Sequence, residues 1–70
     1  MFVHFEARNI NIHLDVEECF CNTNGKVEIN IYRFIHIGVF LDKVQYLSCF
    51  DDGECILLIK NGEILKEKTK

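Results

Sequence analysis

The chain has 70 residues, a formal net charge of −3, no Pro, no Trp and four Cys. Nine Ile, six Leu, five Val and six Phe make 26 of the 70 residues, which is too apolar for a disordered chain. The length allows one domain, 1–70, with a small core, and such domains often lean on a metal, disulfides or a second subunit.

No apolar run approaches the ~18 residues of a membrane-spanning helix. The start, MFVHFEARN, lacks the basic stretch and apolar core of a secretory signal, so the expectation is a cytoplasmic chain with reduced thiols. The acidic balance disfavours a general nucleic-acid binder, whose affinity comes from Lys and Arg neutralising phosphates.

Alternation of period two runs through the chain and predicts strands almost throughout. Val3, Phe5 and Ala7 alternate with His4, Glu6 and Arg8, and Ile10, Ile12, Leu14 and Val16 alternate with Asn11, His13 and Asp15. A two-residue turn at Arg8-Asn9, with Asn accepting a positive φ, pairs Ala7 with Ile10, Phe5 with Ile12 and Val3 with Leu14 on one face. The other face then pairs Glu6 with Asn11, His4 with His13 and Phe2 with Asp15.

Asn22-Thr23-Asn24-Gly25 is the strongest turn cluster, and it connects a strand ending near Cys21 to one starting at Lys26. From 27 to 41 every odd position except Arg33 is Val, Ile or Leu. This predicts one long strand bent near Arg33 or Gly38, or two strands with a kink, because a helix here would be crowded with β-branched residues. Asp42-Lys43 is a weak turn. Asp52-Gly53 and Asn61-Gly62 are the dipeptides that type I′ hairpins prefer, which places strands at 44–51, 54–60 and 63–67, with a charged tail over 66–70 expected to fray. The sum is an all-β fold: a five- to six-stranded antiparallel meander curled into a small barrel or a sandwich.

Four thiols could form a tetrahedral zinc site, with Cys19, Cys21, Cys49 and Cys55 as its ligands. The CxC and Cx5C spacings are not those of zinc knuckles, and the reading preferred here is four free thiols acting as small apolar residues. His4 and His13, with Glu6 and Asp15 nearby, are a second place where a metal could sit, and a solvated polar face is the simpler account. Glu17-Glu18 and Asp51-Asp52-Glu54 are acidic pairs at strand ends, suited to solvated turns or to a basic partner. No phosphate loop, HExxH or GxSxG motif occurs, so neither an enzyme nor a cofactor is expected. Tyr32, Phe34 and Phe40 could stack on the bases of a single strand, but the eight Lys and Arg are scattered.

The feature of most weight is a second apolar face. With two-residue turns at 52–53 and 61–62, Leu47 pairs with Leu58 and Leu58 with Leu65, and Phe34, Phe40 and Ile56 lie on the same side. Ile35, Ile37, Val39, Val44, Tyr46 and Ile59 already supply the other face. An antiparallel sheet usually wets one side, so the surplus is expected to be covered within the chain or by a second copy. The predicted interface is therefore Phe34, Phe40, Leu47, Ile56, Leu58 and Leu65, in a homodimeric, non-enzymatic protein-binding module with no membrane contact. The short length and the Ile-, Asn- and Lys-rich make-up resemble in style the small accessory proteins of viruses and mobile elements. That likeness carries no motif, and it implies inhibition of a host protein. The rival readings are a thiol-based metal or redox module and a single-stranded nucleic-acid binder.

Overall fold

A computed structural model describes residues 1–68. The strands are β1 (Phe2–Ala7), β2 (Ile10–Asp15), β3 (Glu18–Cys21), β4 (Lys26–Tyr32), β5 (Ile35–Phe40), β6 (Val44–Asp51), β7 (Glu54–Lys60) and β8 (Glu63–Glu67), with one turn of 3₁₀ helix at Leu41–Lys43. They form two antiparallel sheets, a five-stranded one in the order β2-β1-β6-β7-β8 and a three-stranded one in the order β3-β4-β5. The all-β fold is therefore a sandwich rather than a closed barrel. It has eight strands, and it departs from a simple meander where β1 pairs with β6.

The inward residues of both sheets make one core. Val3 and Phe5 of β1, Val44, Leu47 and Cys49 of β6, and Leu57 and Ile59 of β7 face Cys19 of β3 and Val27 and Ile29 of β4. Val16 sits at the corner where the chain crosses from β2 to β3, and it too is buried. Ile12, Leu14, Ile37 and Val39 are only partly covered, so the core thins toward the β2 and β5 edges.

The first hairpin has the predicted register at every pair, from Phe2 opposite Asp15 to Ala7 opposite Ile10. The Arg8-Asn9 turn is in place, but neither residue adopts a positive φ. The Asn22 turn also forms: its Oδ1 accepts from the backbone N–H of Asn24 (2.9 Å) and of Lys26 (3.1 Å), mimicking a backbone turn. Residues 66–68 are held rather than frayed, because β8 runs to Glu67 and the Lys68 N–H donates to Ile56 O at 2.9 Å. Residues 69 and 70 of the tail lie outside the described residues.

Two expectations are corrected. The 27–41 segment is two strands, as the second of its two expected forms has it, but they are joined by a full hairpin reversal at Arg33-Phe34 rather than by a bend or kink. Fifteen extended residues would span roughly 50 Å at ~3.3 Å each, and the folded chain measures 25 × 24 × 21 Å. The reversal is achieved by Arg33 at φ 51°, and a register shift between Asn30 and Tyr32 keeps Ile37 and Val39 on the inner face. Second, Leu47 does not pair with Leu58, nor Leu58 with Leu65. The turns at 52–53 and 61–62 are two-residue turns, but one extra residue then bulges from each following strand. Ile56 is the extra residue in β7, so Cys49 pairs with Leu57 and Leu47 with Ile59. Leu65 is the extra residue in β8, so Leu58 faces Lys66. Each bulge shifts the register by one, which sends the next residues to the opposite face.

Asp52-Gly53 and Asn61-Gly62 carry positive φ at both positions, as type I′ turns require. A Cβ at Gly53 would meet open space, whereas at Gly62 it would lie 3.3 Å from Leu41 O and Asp42 Cα, both backbone. Gly53→Ala is therefore expected to cost about 1 kcal/mol from the φ alone. Gly62→Ala is expected to cost distinctly more, because the 41–43 turn must also move. Denaturant melts of the two variants check the order, and equal midpoints would contradict the close approach at Gly62.

Candidate protein-contact site

The β4–β5 turn is the most exposed apolar part of the chain. Phe34 is 97 % exposed, and its neighbours Tyr32 and Ile35 are 52 % and 57 % exposed. The turn is nevertheless tied to the chain at Glu17. Arg33 takes a left-handed conformation that is uncommon for a non-glycine residue. Its backbone N–H donates to Glu17 Oε1 at 3.2 Å, and its guanidinium lies over the Tyr32 ring at 5.2 Å, a cation–π contact. The Phe34 ring projects into solvent from this turn. Leaving a Phe side chain in water forgoes roughly 1.5–3 kcal/mol of burial.

A groove of about 660 Å³ opens between β3 and the β6–β7 turn. Its apolar lining comes from Met1, Cys19, Phe20, Ile56 and Leu57. The bulge at Ile56 sets this lining, because it turns Leu57 inward and leaves Ile56 beside it. Around the lining stand the carboxylates of Glu18, Asp51, Asp52 and Glu54. Lys68 is the cation among the lining side chains; it pairs with Glu54, and that contact holds the Glu54 carboxyl below its usual range.

The six predicted interface residues do not form one row. Leu47 is fully buried in the intrachain core. Leu58 is half-buried on the outer face of the five-stranded sheet, between Ser48 and Lys66. Leu65 protrudes at the β8 bulge, Ile56 lines the groove, and Phe40 is exposed opposite Lys26, whose ammonium lies 5.7 Å from its ring centre. Phe34 and Phe40 stand at opposite ends of β5. Sequence reasoning missed the groove, whose only signal was the acidic Asp51-Asp52-Glu54 turn.

The outer face of the three-stranded sheet is a polar ladder. Asn22 Nδ2 donates to Glu28 Oε2 at 3.0 Å, Glu28 Oε1 meets His36 Nε2 at 2.7 Å, and Asn30 Nδ2 donates to Glu18 Oε1 at 3.0 Å. These carboxylates would repel a phosphate backbone along this face.

On the outer face of the five-stranded sheet, His4 and His13 stack with ring centres 3.9 Å apart, and Tyr46 tilts against His4 at 4.8 Å. Glu6 Oε2 lies 3.0 Å from His4 Nε2, yet no aligned hydrogen bond forms and the buried Nε2 has no hydrogen-bond partner. Stacked imidazoles aim their in-plane lone pairs outward rather than at a shared point, which is poor geometry for joint chelation. Among the described residues no group of three or more His, Cys, Asp or Glu converges to hold a metal ion.

The four cysteines divide in two. Cys19 and Cys49 are buried where the sheets meet, and Cys49 Sγ donates to Met1 Sδ at 3.2 Å. The Cys19 thiol is pushed up strongly by the adjacent Cys49 and by burial, while Cys49 is lowered by its hydrogen bond with Cys19. Cys21, half-buried, is raised by burial and by the Glu67 carboxylate. Cys55 is half-buried near the β6–β7 turn, its thiol directed at Leu57 O. A thiol reagent is therefore expected to label Cys21 and Cys55 in the native protein, and all four only after denaturation. Rapid native labelling of all four would contradict the buried Cys19–Cys49 pair.

No helix among the described residues is long and apolar enough to cross a membrane. Comparison with protein-family models, curated proteins and solved structures finds no match for this chain.

Proposed function

We propose that this chain is a non-enzymatic protein-binding module that acts as a homodimer, with the β4–β5 turn as its contact. The observation that carries the reading is Phe34, almost wholly exposed on a turn whose neighbouring residue Arg33 is tied to Glu17. Aromatic residues and Arg are enriched at protein interfaces relative to the rest of the surface. A pre-ordered turn also loses little entropy on binding. The non-enzymatic part rests on where the polar groups lie. Ser48, His4 and Glu6 lie on the outer face of the five-stranded sheet and do not line the groove, Ser48 is buried there, and no hydrogen bond joins it to His4 among the described residues. In the finer reading, inhibition of a host protein by a viral or mobile-element product, the host protein would compete with the second copy for the same turn.

Mass action supplies the test. The melting temperature of the wild type should rise with protein concentration. That of Phe34→Asp should not, because the change falls on a side chain outside the core. A wild-type melting temperature independent of concentration up to high micromolar would overturn the homodimer.

A further inference from the structure

We infer that the β4–β5 turn of each copy seats in the acidic groove of the other, so that one two-fold pairing buries both Phe34 rings. This inference rests on the homodimer reading above and names the surface that receives the turn. The two features complement each other in shape and charge. The turn offers a ring flanked by Tyr32 and Ile35, and Arg33 is its one formal charge. The groove offers an apolar lining from Met1, Ile56 and Leu57 and a rim on which Lys68 pairs with Glu54 and Asn30 donates to Glu18, leaving Asp51 and Asp52 as carboxylates without a cation partner among the described residues.

The groove, at about 660 Å³, has room for an aromatic side chain and its neighbours. Arg33 then meets carboxylates as the ring meets the lining.

The two features are also adjacent. Arg33 is tied to Glu17, and the groove wall begins at the next residue, Glu18. A protruding turn beside the groove that receives it forms one self-complementary patch, which is what a two-fold interface needs. It closes at two copies, whereas a turn and groove on opposite sides would build an open chain.

Charge reversal tests the pairing by sedimentation equilibrium. Arg33→Asp suits the left-handed backbone, since Asp tolerates that region, and it sets like charges against the rim. Asp51→Lys reverses part of the rim at an exposed position. Each variant alone is expected to weaken dimerisation by about tenfold or more. Their equimolar mixture is expected to recover near wild-type affinity, because each mixed dimer holds one native and one reversed pair. Should Asp51→Lys fail to fold, Glu18→Lys takes its place. If the mixture does not recover while Phe34→Asp still yields monomers, the groove is not the receptor and the turn remains the contact. A monomeric wild type overturns both.

Discussion

Phe5→Ala is expected to cost about 3–5 kcal/mol and to leave the chain largely unfolded at room temperature. Phe5 is fully buried at the centre of β1, between Ile12 of β2 and Leu47 of β6, and it faces the three-stranded sheet. Removing its ring opens a cavity in a core of eleven buried apolar residues, which has little else to close it. A domain of this size stands only about 5 kcal/mol or somewhat more above its unfolded state. Circular dichroism and a urea melt measure the loss. A native-like melt would mean that the two sheets do not close on Phe5.

Leu47→Ala and Leu65→Ala are expected to differ by several kcal/mol. Leu47 is fully buried opposite Ile59, so its truncation should cost about 2–5 kcal/mol. Leu65 is 52 % exposed at a bulge, and its loss should stay within about 1 kcal/mol. Without the bulges at Ile56 and Leu65 the two leucines would share one face and respond alike. Paired urea melts decide between the registers, and comparable midpoints for both variants would contradict the bulged one.

The fold was legible where local chemistry determines geometry. The Val3–Phe5–Ala7 alternation against Ile10–Ile12–Leu14 gave the first register in full, and the Asn22, Asp52-Gly53 and Asn61-Gly62 turns bounded their strands correctly. Three features were not legible, for physical reasons. Tyr32-Arg33-Phe34-Ile35 holds no Gly, Asn or Pro, so no turn residue marked the reversal. What forces it is the small diameter of the core, a property of the whole chain. The bulges leave no local signal either, because Ile56 and Leu65 suit a regular strand as well as a bulge; packing of Leu57 and Ile59 against the other sheet selects them. The predicted leucine row depended on an unbroken ladder, and it dissolved with that register. The groove arises between two sheets and depends on the same bulge at Ile56, so only its acidic rim could be seen in the chain. Phe34 was singled out from the sequence as an interface residue on a long strand. Its prominence in the structure comes instead from the turn it occupies.

The most direct measurement is the solution mass of the wild type and of Phe34→Asp by light scattering at high micromolar concentration. The account predicts about twice the 8.2 kDa chain mass for the wild type. It predicts the single-chain mass for Phe34→Asp, with an unchanged circular dichroism spectrum. A single-chain mass for the wild type, or a dimer that survives Phe34→Asp, would contradict it.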